Sequence, residues 1–260
     1  FLLAAGLLVA GAAFGHEGGH PSAAAAAKMR LAATRLLDTL PGALRAKATL
    51  PFEDAGRTDW HYTPRSRQGI SIKDLDAKGR EAVHALLREA LSAAGYRRAT
   101  DIIALELVLR EVEAFGLFRD PEKYHLTLYG QPDAVKPWGW RFEGHHLSLH
   151  FTLAGDWLVA DAPSFFGANP ARVASGARQG LRALAPEEDE ARALLAMLTA
   201  EQRREAIFDA RTGGDIVTAN AQKVDPLRPV GIAAAKLDER QRAQLWRIVE
   251  AYALAFELGL

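Results

Sequence analysis

The sequence predicts an α+β fold, with helices packed on a small antiparallel sheet in a single domain. Three observations carry this. Apolar residues recur at helical spacing up to about residue 115, and the period drops to two between Tyr124 and Ala162. Helical spacing then returns with no low-complexity linker to divide the chain.

The first expected helix runs from Lys28 to Leu40, with Met29, Leu36, Leu37 and Leu40 on its apolar face and Pro41-Gly42 as its stop. An extended or looped segment follows, carrying Trp60, Tyr62 and Pro64. Two further helices are expected, from Asp76 to Ala93 with Gly95 as terminator, and from Asp101 to Phe115 ending at Gly116. Strands are expected from Tyr124 to Tyr129, from Trp140 to Leu153 as one longer run, and from Trp157 to Ala162. Ala154-Gly155-Asp156 suits a tight hairpin loop. In the long run His146, Ser148, His150 and Thr152 share one face, and Leu147, Leu149, Phe151 and Leu153 the other. After a loop from Pro163 to Gly180, helices are expected from Pro186 to Leu198, Thr199 to Ala210 and Leu237 to Leu258. Thr199 with Gln202 forms a capping box, and Asp76 and Asp238 are N-caps.

Composition narrows the function. The 260 residues carry 32 Lys+Arg against 32 Asp+Glu, a formal charge of zero. Such balance does not suit a nucleic-acid binder or a protein held to membranes by a basic patch. Cys is absent, which removes disulfides, thiolate metal sites and a Cys nucleophile. Residues 1–15 read as a signal peptide lacking its n-region, too short to span a bilayer, with Ala13-Phe14-Gly15 as a cleavage site. The expected address is therefore periplasmic or extracellular, with no stable membrane insertion after cleavage. Residues 16–28 read as a flexible His/Gly/Ala-rich tail, and residues 29–260 as the domain. Cleavage after Gly15 would leave His16 as an N-terminal copper chelate near His20; a plain polar tail explains the same residues.

Four strings are distinctive: Trp60-His61-Tyr62-Thr63-Pro64, Arg119-Asp120-Pro121-Glu122, Trp138-Gly139-Trp140-Arg141-Phe142-Glu143-Gly144-His145-His146-Leu147-Ser148, and Phe166-Gly167-Ala168-Asn169-Pro170. Together they resemble a bacterial and fungal family defined by a domain of unknown function, DUF3500, over roughly Leu31 to Leu258. The resemblance implies no reaction, cofactor or substrate. It implies Asn at the position of His150, which sets His150 aside as a site common to the family.

Read as chemistry, His145 and His146 are the candidate metal ligands for Zn, Cu or Fe. Adjacent strand residues point to opposite faces, so both can serve one ion only if Gly144 introduces a bulge or turn. Glu106, Arg110 and Glu113 form one stripe on an otherwise apolar helix, either a Glu–Arg–Glu ladder or a source of functional carboxylates. Glu143, Glu106 and Glu113 are thus the candidate catalytic carboxylates. Trp138, Trp140, Arg67, Arg119 and Asn169 are candidates for substrate binding, with Trp60 and Tyr62 extending the aromatic group. The leading expectation is an exported metal-dependent enzyme acting on a small molecule, hydrolysis being favoured because no sequence feature calls for redox chemistry. The rival is a non-catalytic exported binding module with an aromatic pocket. A metal carrier using His16 and His20 is the third.

Overall fold

The structure, a computed structural model, describes residues 21–113, 116–211 and 214–257. The expected leader, His16 and His20 lie outside the described residues. Helix α1 spans Pro21–Thr39 and α2 Gly42–Ala48. The run from Ala23 to Ala27, expected as flexible tail, belongs to α1, since alanine is the strongest helix former and Ala25 and Ala26 are buried. Met29, Leu36 and Leu37 continue the same buried stripe.

Helix α3 (Ala77–Ala90) is capped by Asp76, which accepts from the Gly79 N–H, and α4 (Ala93–Val112) by Ser92, which accepts from the Gly95 N–H. Gly95 therefore lies in the first turn of α4 and does not end α3, contrary to the sequence expectation. Its role is close approach, because a Cβ there would sit 1.8 Å from the Ala255 carbonyl oxygen.

The strands are β1 (Thr49–Leu50), β2 (Ile70–Ser71), β3 (His125–Tyr129), β4 (Pro137–Gly144), β5 (Leu147–Ala154), β6 (Trp157–Ala160) and β7 (Ser164–Phe166). They form one sheet in the order β1-β3-β4-β5-β6, with β2 also on β3 and β7 also on β5. The β1–β3 pair is parallel and the other pairs are antiparallel, so the sheet is mixed. The single long strand expected from Trp140 to Leu153 is two strands. Gly144 pairs with Leu147, and His145-His146 is the two-residue loop between them.

Register assigns the faces. Leu126, Leu128, Trp138, Trp140, Phe142, Leu147, Leu149 and Phe151 stand on one face and join Met29, Leu36, Leu86 and Ile102 in one core. The other face carries Thr127, Tyr129, Arg141, Glu143, Ser148 and His150, all buried as well. Its cover is the irregular segment 51–69: Arg141 Nη1 donates to the Gly56 and Asp59 carbonyls, each at 2.6 Å, and Tyr129 Oη to Gly56 at 3.2 Å. Helices α5 (Ala185–Met197), α6 (Ala200–Ala206) and α7 (Glu239–Ala253) complete the domain. Both Thr199–Gln202 and Asp238–Gln241 close as capping boxes. A buried Arg98–Glu187 ion pair at 2.7 Å ties α4 to α5.

In an open helix, Gly→Ala stabilises by about 1 kcal/mol. At Gly95 the Ala255 backbone blocks the added methyl, so Gly95→Ala should destabilise by roughly 1–3 kcal/mol. Denaturant unfolding reads the sign directly.

Candidate active site

The tip of the β4–β5 hairpin is held from every side. His146 adopts φ 59°, a left-handed conformation uncommon outside glycine. That residue makes the reversal. Gly144 instead makes room for a neighbour, since a Cβ on it would lie 2.2 Å from the Tyr124 ring. Tyr124 Oη donates to the His145 carbonyl at 2.7 Å, and Arg67 Nη2 to the Gly144 carbonyl at 2.9 Å. His146 N–H donates to Tyr62 O at 2.7 Å, and Gly167 N–H to His146 O at 2.8 Å. The two imidazoles consequently sit side by side, with ring centroids 3.9 Å apart.

Helix α4 brings the carboxylate. Glu106, 5% exposed, places Oε1 2.5 Å from His145 Nδ1, and its Oε2 accepts the Asp120 N–H at 3.3 Å. With a carboxylate at Nδ1, the proton of neutral His145 resides there and Nε2 is left as the acceptor. Beyond the helix end, Arg119 grips Glu113 through Nε (2.7 Å) and Nη2 (3.0 Å). Its remaining Nη1 lies 3.1 and 3.2 Å from the two ring nitrogens of His145. Near-equal distances set that nitrogen against the ring and off the axis of either lone pair. Hydrogen bonding from Arg119 holds Glu113 below the usual carboxylate range. Burial, with His145 beside it, pushes His146 down to about 4, so it is neutral at pH 7.

These groups line a cleft of about 690 Å³, bounded by Glu106, Glu113, Arg119, His145, Arg67 and Lys123. Five residues predicted as site members, His145, Glu106, Glu113, Arg119 and Arg67, thus share one cavity. His146 touches it through His145. Arg110 is exposed and pairs with neither Glu106 nor Glu113 among the described residues, so the expected ladder gives way to Arg119.

The remaining predicted residues lie elsewhere. Glu143 is on the covered face of the sheet, between Arg141 Nε at 2.9 Å and Arg67 Nε at 3.4 Å. Burial raises its pKa while the two guanidinium groups oppose the rise. It holds Arg67 in place and does not line the His145 cleft. Trp138 is wholly buried in the core, and Trp140 stacks on Phe151 at 4.4 Å, so neither walls this cleft. Asn169 is exposed and outside it. Tyr124 lines the cleft and sequence reasoning misses it, because its place at the end of a strand-like run carries no polar signal.

Among the described residues, no group of three or more His, Asp or Glu side chains comes together as a metal site. The positive charge beside His145 and Glu113 belongs to Arg119.

An α+β domain with a buried carboxylate–imidazole pair opening on a polar cleft is an arrangement able to move protons. The chain belongs to the family described as protein of unknown function (DUF3500), whose profile matches residues 22–259. The comparison with curated proteins gave no match, and the comparison with solved structures gave none.

A second imidazole governs stability rather than the site. His150, 5% exposed, lies 2.9 Å from Ser148 Oγ through Nε2 and is bound to the Arg57 backbone. Burial, with Arg141 nearby, holds its pKa down at about 3, against 6.5 when unfolded. Below pH 6.5 the unfolded chain takes up a proton that the folded chain refuses. Stability is then full above 6.5 and falls by about 1.4 kcal/mol per pH unit toward 3. In His150→Asn, the slope of unfolding free energy between pH 6 and 4 should drop by one proton's worth, measured by denaturant titration at each pH.

Proposed function

We propose that the protein is an exported hydrolase of small molecules, with His145 as general base. The observation that carries this is the 2.5 Å contact of Glu106 Oε1 with His145 Nδ1 at the wall of the cleft. Glu106 orients the ring and stabilises its protonated form, leaving Nε2 to act. Nε2 takes a proton from water as the water oxygen bonds to a carbonyl or phosphoryl centre. Arg119 Nη1, whose sister nitrogens are tied to Glu113, donates to the oxygen on which charge develops. His145 then returns the proton to the leaving group as its bond breaks. In this reading Arg119 supplies the charge that the sequence assigned to a divalent metal.

The test uses p-nitrophenyl acetate and p-nitrophenyl phosphate as probes. Turnover of one of them should fall roughly 100-fold or more in His145→Ala and in Glu106→Gln, and survive EDTA. A chain inert to both, or activity that outlasts His145→Ala, refutes hydrolysis by this pair. Stoichiometric metal in protein purified without a His tag, lost in His145→Ala, would replace Arg119 by a metal-dependent site.

A further inference from the structure

A second cavity, of about 340 Å³, lies between segment 51–69 and the polar face of the sheet. Residues 65–67 are the wall it shares with the His145 cleft, and its floor is Arg141 and Glu143, which do not line that cleft. Arg65, Arg67 and Arg141 set three guanidinium groups on its lining against the two carboxylates of Asp59 and Glu143. Burial holds the pKa of His61 below 6.5, so this imidazole adds no charge at pH 7. The lining therefore carries one positive charge in excess. Its volume falls within the range of small-molecule sites.

The charged groups on its floor are buried but not satisfied. Glu143 lies 2.9 Å from Arg141 Nε and 3.4 Å from Arg67 Nε, yet neither N–H points along its contact, and both Nε are buried without a hydrogen-bond partner among the described residues. Such an ion pair neutralises charge and leaves the lone pairs of the carboxylate open. Both terminal nitrogens of Arg67 are taken, one by the Arg65 carbonyl and the other by those of His61, Thr63 and Gly144. Arg141 differs. Its Nη1 directs both protons to the Gly56 and Asp59 carbonyls, and its Nη2 has no hydrogen-bond partner among the described residues. Buried polar groups ordinarily find partners. An uncommitted guanidinium nitrogen beside an open carboxylate asks for a ligand that offers both an acceptor and a donor.

We infer that this cavity binds a small α-hydroxy acid, its carboxylate on Arg141 Nη2 and its hydroxyl donating to Glu143. One ligand carboxylate cancels the excess positive charge, and Nη2 gives up no partner to receive it. The hydroxyl answers Glu143, which repels an anion that has no donor to offer. A carboxylate lacking the hydroxyl keeps the first interaction and forfeits the second. A diol does the reverse. The site is independent of the proposed hydrolysis.

Glycolate is the probe, followed by calorimetry, with acetate as the counterpart lacking the hydroxyl and ethylene glycol as the one lacking the charge. Wild-type protein should bind one glycolate per chain, at least about tenfold more tightly than either counterpart. Arg141→Lys keeps the charge and removes the planar fork; folded by circular dichroism, it should lose at least about tenfold in glycolate affinity. Asp59→Asn removes a negative charge from the half-exposed pair with Arg65, and should tighten glycolate binding about threefold. The sign of that effect decides the matter if Arg141→Lys does not fold. His145→Ala should bind glycolate as wild type does, so that failure of hydrolysis and failure of this site are read separately. No saturable glycolate binding by wild type, acetate or ethylene glycol bound as tightly, undiminished affinity in folded Arg141→Lys, no tightening in Asp59→Asn, or loss of binding in His145→Ala would each overturn the inference.

Discussion

A reversal of direction at His145-His146 decides what the rest of the molecule can do. Had the chain continued as one strand, consecutive imidazoles would have faced opposite sides of the sheet. The two-residue loop instead projects both beyond the sheet, where α4 and the Arg119 turn can reach them. The loop is not free to choose another shape. Four hydrogen bonds fix its backbone, from Tyr124, from Arg67, to Tyr62 and from Gly167. Left-handed backbone at a β-unbranched polar residue persists only where surroundings over-determine it, and such residues collect at functional sites. His146 meets the first of these conditions.

The cleft is also preformed because its neighbours cannot leave. Arg67 ties the cleft to the covered face of the sheet: its side chain, 4% exposed, reaches Glu143 on one side and the Gly144, His61 and Thr63 carbonyls on the other. Arg141 and Glu143 are equally buried. Removing one partner from such a set leaves a buried charge uncompensated, at a cost of roughly 3–5 kcal/mol. Exposed ion pairs such as Arg45–Asp38 are worth at most about 1 kcal/mol. Segment 51–69 is therefore held by the polar face, and an irregular backbone acquires the rigidity of the sheet beneath it.

Sequence periodicity made the helices, their caps and the strand region legible, because capping and amphipathic spacing are local. Asp76, Thr199 and Asp238 act where expected. The hairpin was hidden because Gly144-His145-His146 lacks the Asn-Gly or Gly-Gly signature of a tight turn, and alternation continues through it. Gly95 misled for the converse reason: a glycine required by a distant carbonyl looks, locally, like a helix stop. Within the site, the Glu106 and Glu113 stripe was visible as charge on an apolar helix. Its partner was not, since Arg110 is four residues from Glu106 and Arg119 meets Glu113 only through the fold. Trp138 and Glu143 sit in the most distinctive string of the chain and serve the core and the covered face. Conspicuous residue types mark packing as readily as chemistry.

The acidic groups around His145 are already paired, and that pairing limits what the cleft can bind. Glu106 meets the imidazole and Glu113 meets Arg119, and behind the wall Glu143 holds Arg67. Paired charges in a partly dry cleft bind an incoming ion weakly, because each must first give up its partner. They are well placed, however, to answer charge that appears during a reaction, since their dipoles are oriented beforehand. Segment 51–69, which supplies Arg67 to this wall, thereby ties the cleft to the buried polar face of the sheet through Glu143.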